Sequence, residues 1–365
     1  MAPRGLFYVR LAHEDWDFVD EIGESPPFDA AIVRASYLAP YPEGHPRVGE
    51  PADRLTEALG RHRIDWGLDP ATAAHGHRRA ADWTRPRASN CPLARTLPLP
   101  LTAARLSDPS SAEALVEAAA ELQLDSRAMA APYLEVAAAD DPRVAVNCEL
   151  IRLARDRAGD RRTVAYLQTT WRQLMSGDAA EAGERYVDAG AATVFVRIRR
   201  FEAEQASEEE VLAYLALIRR VRAGGARPVP DSVGRLGPVL VAGDADGFAA
   251  GAHHFRKVAD QLLSNSGGGG GPLLVYEVPS RVAGVVRGLG GPQLPNCPEP
   301  GCAADAGLGD EARIREHNLH EFRRLARRAA ELGPAFAQVL RSAEHELALT
   351  WARALDRFQE ERRAA

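Results

Sequence analysis

The chain has 365 residues, of which 45% are hydrophobic and 26% charged, with a formal net charge of −6. That length suits one large globular domain with an appendage, or two smaller domains. The acidic balance gives the whole molecule no field that favours nucleic acid. Lys257 is the only lysine among abundant arginines, which reads as coding bias rather than as a phosphate-binding surface. No apolar run approaches the roughly 20 residues of a membrane-spanning helix. The first residues become acidic too soon for a secretory segment. Four cysteines cannot make a dense disulfide scaffold in so long a chain, so a cytoplasmic setting is expected.

Apolar runs with strand character appear in order as "GLFYVRLA" (5–12), "AAIVRAS" (30–36), "RIDWGLD" (63–69) and "APYLEVA" (131–137). "TVAYLQT" (163–169), "TVFVRIR" (193–199), "RPVPDSV" (227–233) and "DGFAAGA" (246–252) follow. Helical patterns separate them. In "SEEEVLAYLALIRRVRAGG", Ser207 can cap, three glutamates suit the positive helix end, and Gly224 and Gly225 stop it. Eight strand–helix units predict an α/β fold, a (β/α)8 TIM barrel over residues 1–264. A doubly wound sheet would put glycines in the first turn, where "RLAHED" has none.

Residues 70–111 are too long and Pro-rich for a plain connection and read as an insertion. "NSGGGGGP" (265–272) marks a joint, so 265–295 reads as a linker with a short strand. Residues 296–365 read as a zinc-binding segment and C-terminal helices. Cys297 and Cys302 flank "PEPG", which can fold the chain back and bring the sulfurs together. His317 or His320 on the following helix could complete a tetrahedral site, with Glu299 as a further oxygen donor. Arg323, Arg324, Arg327 and Arg328 recur at helical spacing and read as a solvated face. Phe336, Leu340, Leu347, Trp351 and Leu355 make an apolar stripe suited to core packing.

Barrel chemistry sits at the C-terminal strand ends. Those positions offer Asp69, Glu135, Gln168, Arg197, Arg199, Asp231 and Asp246. Carboxylates can act as nucleophile or acid/base, and an amide can read a purine edge.

"REHNLHEF" (315–322) resembles the zinc-binding "EHN" helix of the tRNA-guanine transglycosylases, and the spacing of Cys297 and Cys302 matches the outer cysteines of that family's CxCxxC. The resemblance, which extends to the DNA-modifying 7-deazaguanine branch, implies a (β/α)8 barrel with Cys297, Cys302 and His317 as Zn2+ ligands. Glu299 stands where the middle cysteine would be, so the fourth ligand is Glu299 or His320. The resemblance further implies Asp69 as acid/base and Gln168 as a base-binding residue. Glu135, Arg197 and Arg199 are then expected around the base. Ala249 occupies the place of the family's nucleophilic aspartate, which leaves Asp231 or Asp246 to attack from a shifted position. Exchange or recognition of a guanine or 7-deazaguanine base in tRNA or DNA is the expected function, with a homodimer through the zinc region.

Two other functions fit the same residues. Glycines in "VGRLGPVLVAGDADGFAAGAHH" could hold the phosphate of a sugar or nucleotide beside His253 or His254, or could simply allow tight packing. A catalytically silent barrel could instead bind nucleic acid or protein through the zinc segment and the arginine helix.

Overall fold

Parallel strands covered on both faces are apolar along most of their length, and the two longest strands obey that rule. β5 (Arg162–Thr170) and β6 (Thr193–Arg199) are buried through their interiors and pair in parallel from Val164–Thr193 to Thr170–Arg199. In the computed structural model, residues 4–12, 15–23, 25–39, 43, 53–76, 91–199, 201, 203–251, 274–275, 284–285, 311–342 and 346–364 are described.

Six further strands share this parallel arrangement: β1 (Leu6–Leu11), β2 (Ala30–Arg34), β3 (Trp66–Asp69), β4 (Ala128–Ala130), β7 (Arg227–Pro230) and β8 (Gly247–Gly251). The eight together form two four-stranded sheets in the orders β3-β2-β1-β8 and β4-β5-β6-β7. The sheets meet at β7 and β8 through one bridge, Asp231 with Ala249, extended by the Ser232 N–H donating to the Ala249 carbonyl at 2.9 Å. At β3 and β4 no strand ladder joins them; the Ser126 hydroxyl donates to the Trp66 carbonyl at 2.9 Å instead. A separate short antiparallel pair is made by Leu274–Val275 and Gly284–Val285.

Six of the eight expected strands lie within their sequence windows, β5 overruns its window by one residue at each end, and the fourth is displaced. β4 ends at Ala130, whereas residues 131–137 were expected to be extended. Pro132 has no N–H to give a ladder. The next donors are taken by side chains: Tyr133 N–H goes to Thr72 Oγ1 and Leu134 N–H to Asn147 Oδ1.

Several helices between the strands begin at side-chain caps, whereas α1 (Trp16–Ile22), α2 (Arg54–Arg61), α7 (Trp171–Ser176) and α8 (Asp178–Asp188) have none. Asp108 accepts from Ser111 N–H before α5 (Pro109–Glu121), and Asp141 accepts from Arg143 N–H before α6 (Pro142–Ala158). Proline at the first helical position costs nothing there, because its missing N–H would be unpaired anyway. The Ser207–Glu210 pair forms a full capping box on α9 (Glu208–Ala223). Within 70–111 the chain forms a 3-10 turn at Thr72–Gly76 and two short helices, α3 (Pro92–Thr96) and α4 (Ala103–Leu106).

After residue 310 the chain returns to the strands. α11 (Glu311–Leu332) lays Leu319, Phe322, Ala326 and Ala329, all buried, over β1 and α10 (Gly237–Ala242). Phe322 meets Phe7 and Phe248 at ring distances of 5.5 and 5.6 Å. Gly5, at φ +76°, permits the approach: a Cβ there would stand 2.8 Å from the Ala326 carbonyl oxygen. The expected apolar stripe of the last helices is core, with Phe336, Leu340, Trp351 and Leu355 buried and Leu347 partly so.

The arginine face of α11 is partly neutralised within the chain. Arg323 and Arg327 pair with Asp29, and Arg324 with Glu321, while Arg328 is exposed. No helix among the described residues is long and apolar enough to cross a membrane.

Candidate functional site

Side chains from five strands and from the stretches after two others converge at the C-terminal strand ends. Arg10 comes from β1, Arg34 from β2, Asp69 from β3, Gln168 from β5, and Arg197 and Arg199 from β6. Asp231 follows β7, and Tyr133 and Glu135 lie on the stretch after β4. Because Arg10 and Asp69 belong to one sheet while Arg197 belongs to the other, their meeting requires them to point between the sheets.

A four-charge knot lies at the centre. Arg10 Nε and Nη2 donate to the two oxygens of Asp231 at 2.7 and 2.5 Å, and its Nη1 donates to Asp69 Oδ2 at 2.8 Å. Arg197, 1% exposed, donates from Nη2 to both Asp69 Oδ2 (2.8 Å) and Asp231 Oδ2 (2.7 Å). Tyr133 donates its hydroxyl to Asp69 Oδ1 at 3.0 Å and accepts from Arg197 Nη1 at 2.9 Å. Around the knot, Arg197 Nη1 reaches Gln168 Oε1 (3.2 Å), Gln168 Nε2 donates to Glu135 (2.9 Å), and Arg199 Nε donates to Glu135 (3.0 Å).

The backbone is held in an unusual form beside both aspartates. Ala71 (φ 52°) donates its N–H to Asp69 Oδ1, and Ser232 (φ 64°) donates its hydroxyl to Asp231 Oδ1. Left-handed conformations in residues with a Cβ are costly and cluster where side chains must be aimed.

Electrostatics fixes the charge states. Burial alone would raise the Asp69 carboxyl, but Arg197, Arg10 and Arg34 outweigh it and hold the group far below the usual carboxylate range. Asp231 is balanced the same way: burial raises it, and Arg10 and Arg197 bring it below its ordinary value. Burial pushes the Tyr133 phenol up, so it stays protonated and able to donate. Both aspartates are therefore ionised, and every oxygen of the pair already accepts hydrogen bonds. Neither is a proton donor at neutral pH, and as a nucleophile either would first have to leave an arginine.

Of the residues predicted from sequence, Asp69, Glu135, Gln168, Arg197, Arg199 and Asp231 come together. Asp246 does not. It is the residue before β8, at the opposite end of the strands, where it pairs with Arg222 at 2.6 Å and lies 3.8 Å from Arg227. Arg10, Arg34 and Tyr133 were missed. A lone arginine in an apolar strand, as in "FYVRL" and "AIVRA", was the available signal.

The glycines near β7 and β8 serve packing. A Cβ on Gly237 would run into the Phe248 ring, one on Gly243 into Leu215, and one on Gly247 into the Leu6 carbonyl. Cys297, Glu299, Cys302, His253 and His254 lie outside the described residues, as does the side chain of His317. His320, on α11, lies 3.7 Å from Glu316. Among the described residues no group of three or more potential metal ligands occurs.

No family model and no curated protein matches the chain. Among solved structures it is similar to the deoxyribose phosphate aldolase of Aeropyrum pernix, at 12% identity over 68% of this chain and 86% of that one, with a TM-score of 0.36. It is also similar to a type I 3-dehydroquinate dehydratase of Clostridium difficile, at 11% identity over 72% and 90%, with a TM-score of 0.40.

Proposed function

We propose that the eight strands close into a (β/α)8 barrel whose C-terminal mouth binds a phosphorylated sugar or a nucleotide. The charge balance at the mouth supports this reading. Four guanidiniums (Arg10, Arg34, Arg197, Arg199) face three carboxylates (Asp69, Glu135, Asp231), leaving one positive charge in excess. Arg34 carries that excess: its nearest acidic partner among the described residues is Asp69, 3.8 Å from Nε, so its Nη groups remain for a ligand. A guanidinium fork matches a phosphate's oxygens. Binding an anion there leaves the four-charge knot intact, whereas carboxylate chemistry would have to open it.

Calorimetric titration with ribose 5-phosphate, ribose and a nucleoside monophosphate tests the reading. The phosphorylated ligands are expected to bind, ribose is expected not to, and Arg34→Ala is expected to weaken binding about ten-fold or more. Equal affinity for ribose and ribose 5-phosphate, or no binding of either, would sink it.

Base exchange at the same mouth is the second reading. It draws on the transglycosylase-like segments and on the way Arg197 links Asp69 to Gln168, the two residues that match the family by position. Zinc enters that reading as a structural ion on Cys297, Cys302 and His317, with Glu299 or His320, and tRNA or DNA as the polymer. Incubation with labelled guanine and tRNA or duplex DNA is the test. Incorporation that disappears in Asp69→Ala would favour base exchange; none in the native protein would eliminate it.

A further inference from the structure

A cavity of about 460 Å3 opens at the end of the strands opposite the Asp69–Arg197 cluster and belongs to none of the chemistry above. Its lining includes the first residues of several strands, among them Leu6, Ala30, Trp66, Ala128, Arg162 and Thr193. The rings of Tyr8, Phe195 and Tyr166 close it on the inside: Tyr8 meets Phe195 edge-on at 5.4 Å, and Phe195 stacks on Tyr166 at 5.1 Å. Beyond that aromatic layer lies Arg197, 5.5 Å from the Tyr166 ring centre. The two ends of the strands are thus separate compartments.

Gly67 shows that the space is not needed by the fold. It sits inside β3, where glycine weakens a strand and marks a close approach by something else. Gly237, Gly243 and Gly247 each have a neighbour that excludes a side chain; a Cβ on Gly67 would meet nothing within 4 Å. Its φ is not in the left-handed range, so no turn demands glycine either. The missing side chain is cavity.

We propose that this cavity is a binding site for a small planar aromatic anion. The walls supply ring faces, and the volume lies in the range of small-ligand sites. The lining carries three guanidiniums (Arg127, Arg162, Arg227) and three carboxylates (Asp29, Asp65, Asp160), and behind it Arg323 and Arg327 pair with Asp29 and Arg222 with Asp246. Asp29, Asp65 and Asp246 are all held by arginines, whereas Arg162 at the rim has no ion-pair partner among the described residues. Thr193, 6% exposed, lines the wall, and its hydroxyl has no hydrogen-bond partner among the described residues. Burial raises the Tyr8 phenol and Arg227 opposes it; the phenol stays protonated and adds a donor.

Calorimetric titration of the full chain with naphthoate and with naphthalene methanol, the same ring without charge, provides the test. Naphthoate is expected to bind saturably at one site and more tightly than the alcohol. Arg162→Ala is expected to weaken naphthoate about ten-fold and leave the alcohol unchanged. Gly67→Val, which fills the space with a better strand former, is expected to abolish binding without lowering the thermal midpoint. Arg34→Ala, at the opposite mouth, is expected to change nothing, which separates this site from the phosphate reading. Absence of saturable naphthoate binding, native affinity in Gly67→Val, or a loss in Arg34→Ala that Arg162→Ala does not show would each overturn the proposal. Arg162 is exposed, so its variant carries the test if Gly67→Val fails to fold.

Discussion

Arg197 is the residue on which most of the mouth depends, because it touches Asp69, Asp231, Gln168 and Tyr133 at once. Arg197→Met keeps an unbranched apolar stem and removes the charged head, leaving two buried carboxylates with Arg10 and, 3.8 Å from Asp69, Arg34. A loss of about 3–5 kcal/mol of stability at pH 7 is expected from denaturant unfolding. The pH dependence has a definite sign. In the native protein both aspartates titrate below their unfolded value of about 4, so their contribution is complete above that value and is lost as pH falls from there through the lower native values. In the variant, protonation relieves an uncompensated charge. The stability gap between the two proteins should therefore narrow from pH 7 towards pH 4, and a gap that widens would contradict the charge assignment.

Much of this cluster is legible in the sequence, since polar residues at the ends of apolar strands are expensive to bury and are placed there for a reason. Asp69, Gln168 and Asp231 are found by that rule. Asp246 is misread by the same rule, because "DGFAAG" does not show at which end of its strand the aspartate stands. Arg10 and Arg34 read as ordinary strand punctuation until a partner sheet is known, and Tyr133 depends on the bend after Pro132.

At the scale of elements, α11 explains how the strands nearest the N-terminus are covered. Its Phe322 completes a three-ring cluster with Phe7 and Phe248. Phe322→Ala should cost about 3–5 kcal/mol, read as a lower denaturant midpoint, because none of the backbone-bound neighbours can refill the space. A cost under about 1 kcal/mol would mean that α11 is dispensable for this core. The arginine spacing and the EHN-like stretch marked the helix, but its apolar stripe of Leu319, Phe322, Ala326 and Ala329 was not read from the sequence. Nor could the sequence show the target of that stripe, because a partner some 300 residues away in sequence leaves no local trace. Strand boundaries were legible where alternation or continuous apolar runs were clean, and failed at β4, where three residues sufficed and side chains took over the hydrogen bonding.

For the whole molecule, the same packing sets the smallest unit that can fold. A fragment ending at residue 264 keeps all eight strands but uncovers Phe7 and Phe248. It is expected to lack a sharp thermal transition and to bind hydrophobic dyes, and a cooperative transition in that fragment would show that the strands need no cover from α11. The two sheets also differ in how the chain supplies them. β4 to β7 come from one unbroken stretch, residues 128–230, whereas β1 to β3 find their fourth strand only at 247–251 and their outer helix only at 311–332. On the ribosome, then, the middle of the protein is the first portion able to assemble completely. The opening strands must wait, bare along one edge, for the last third of the polypeptide to be made.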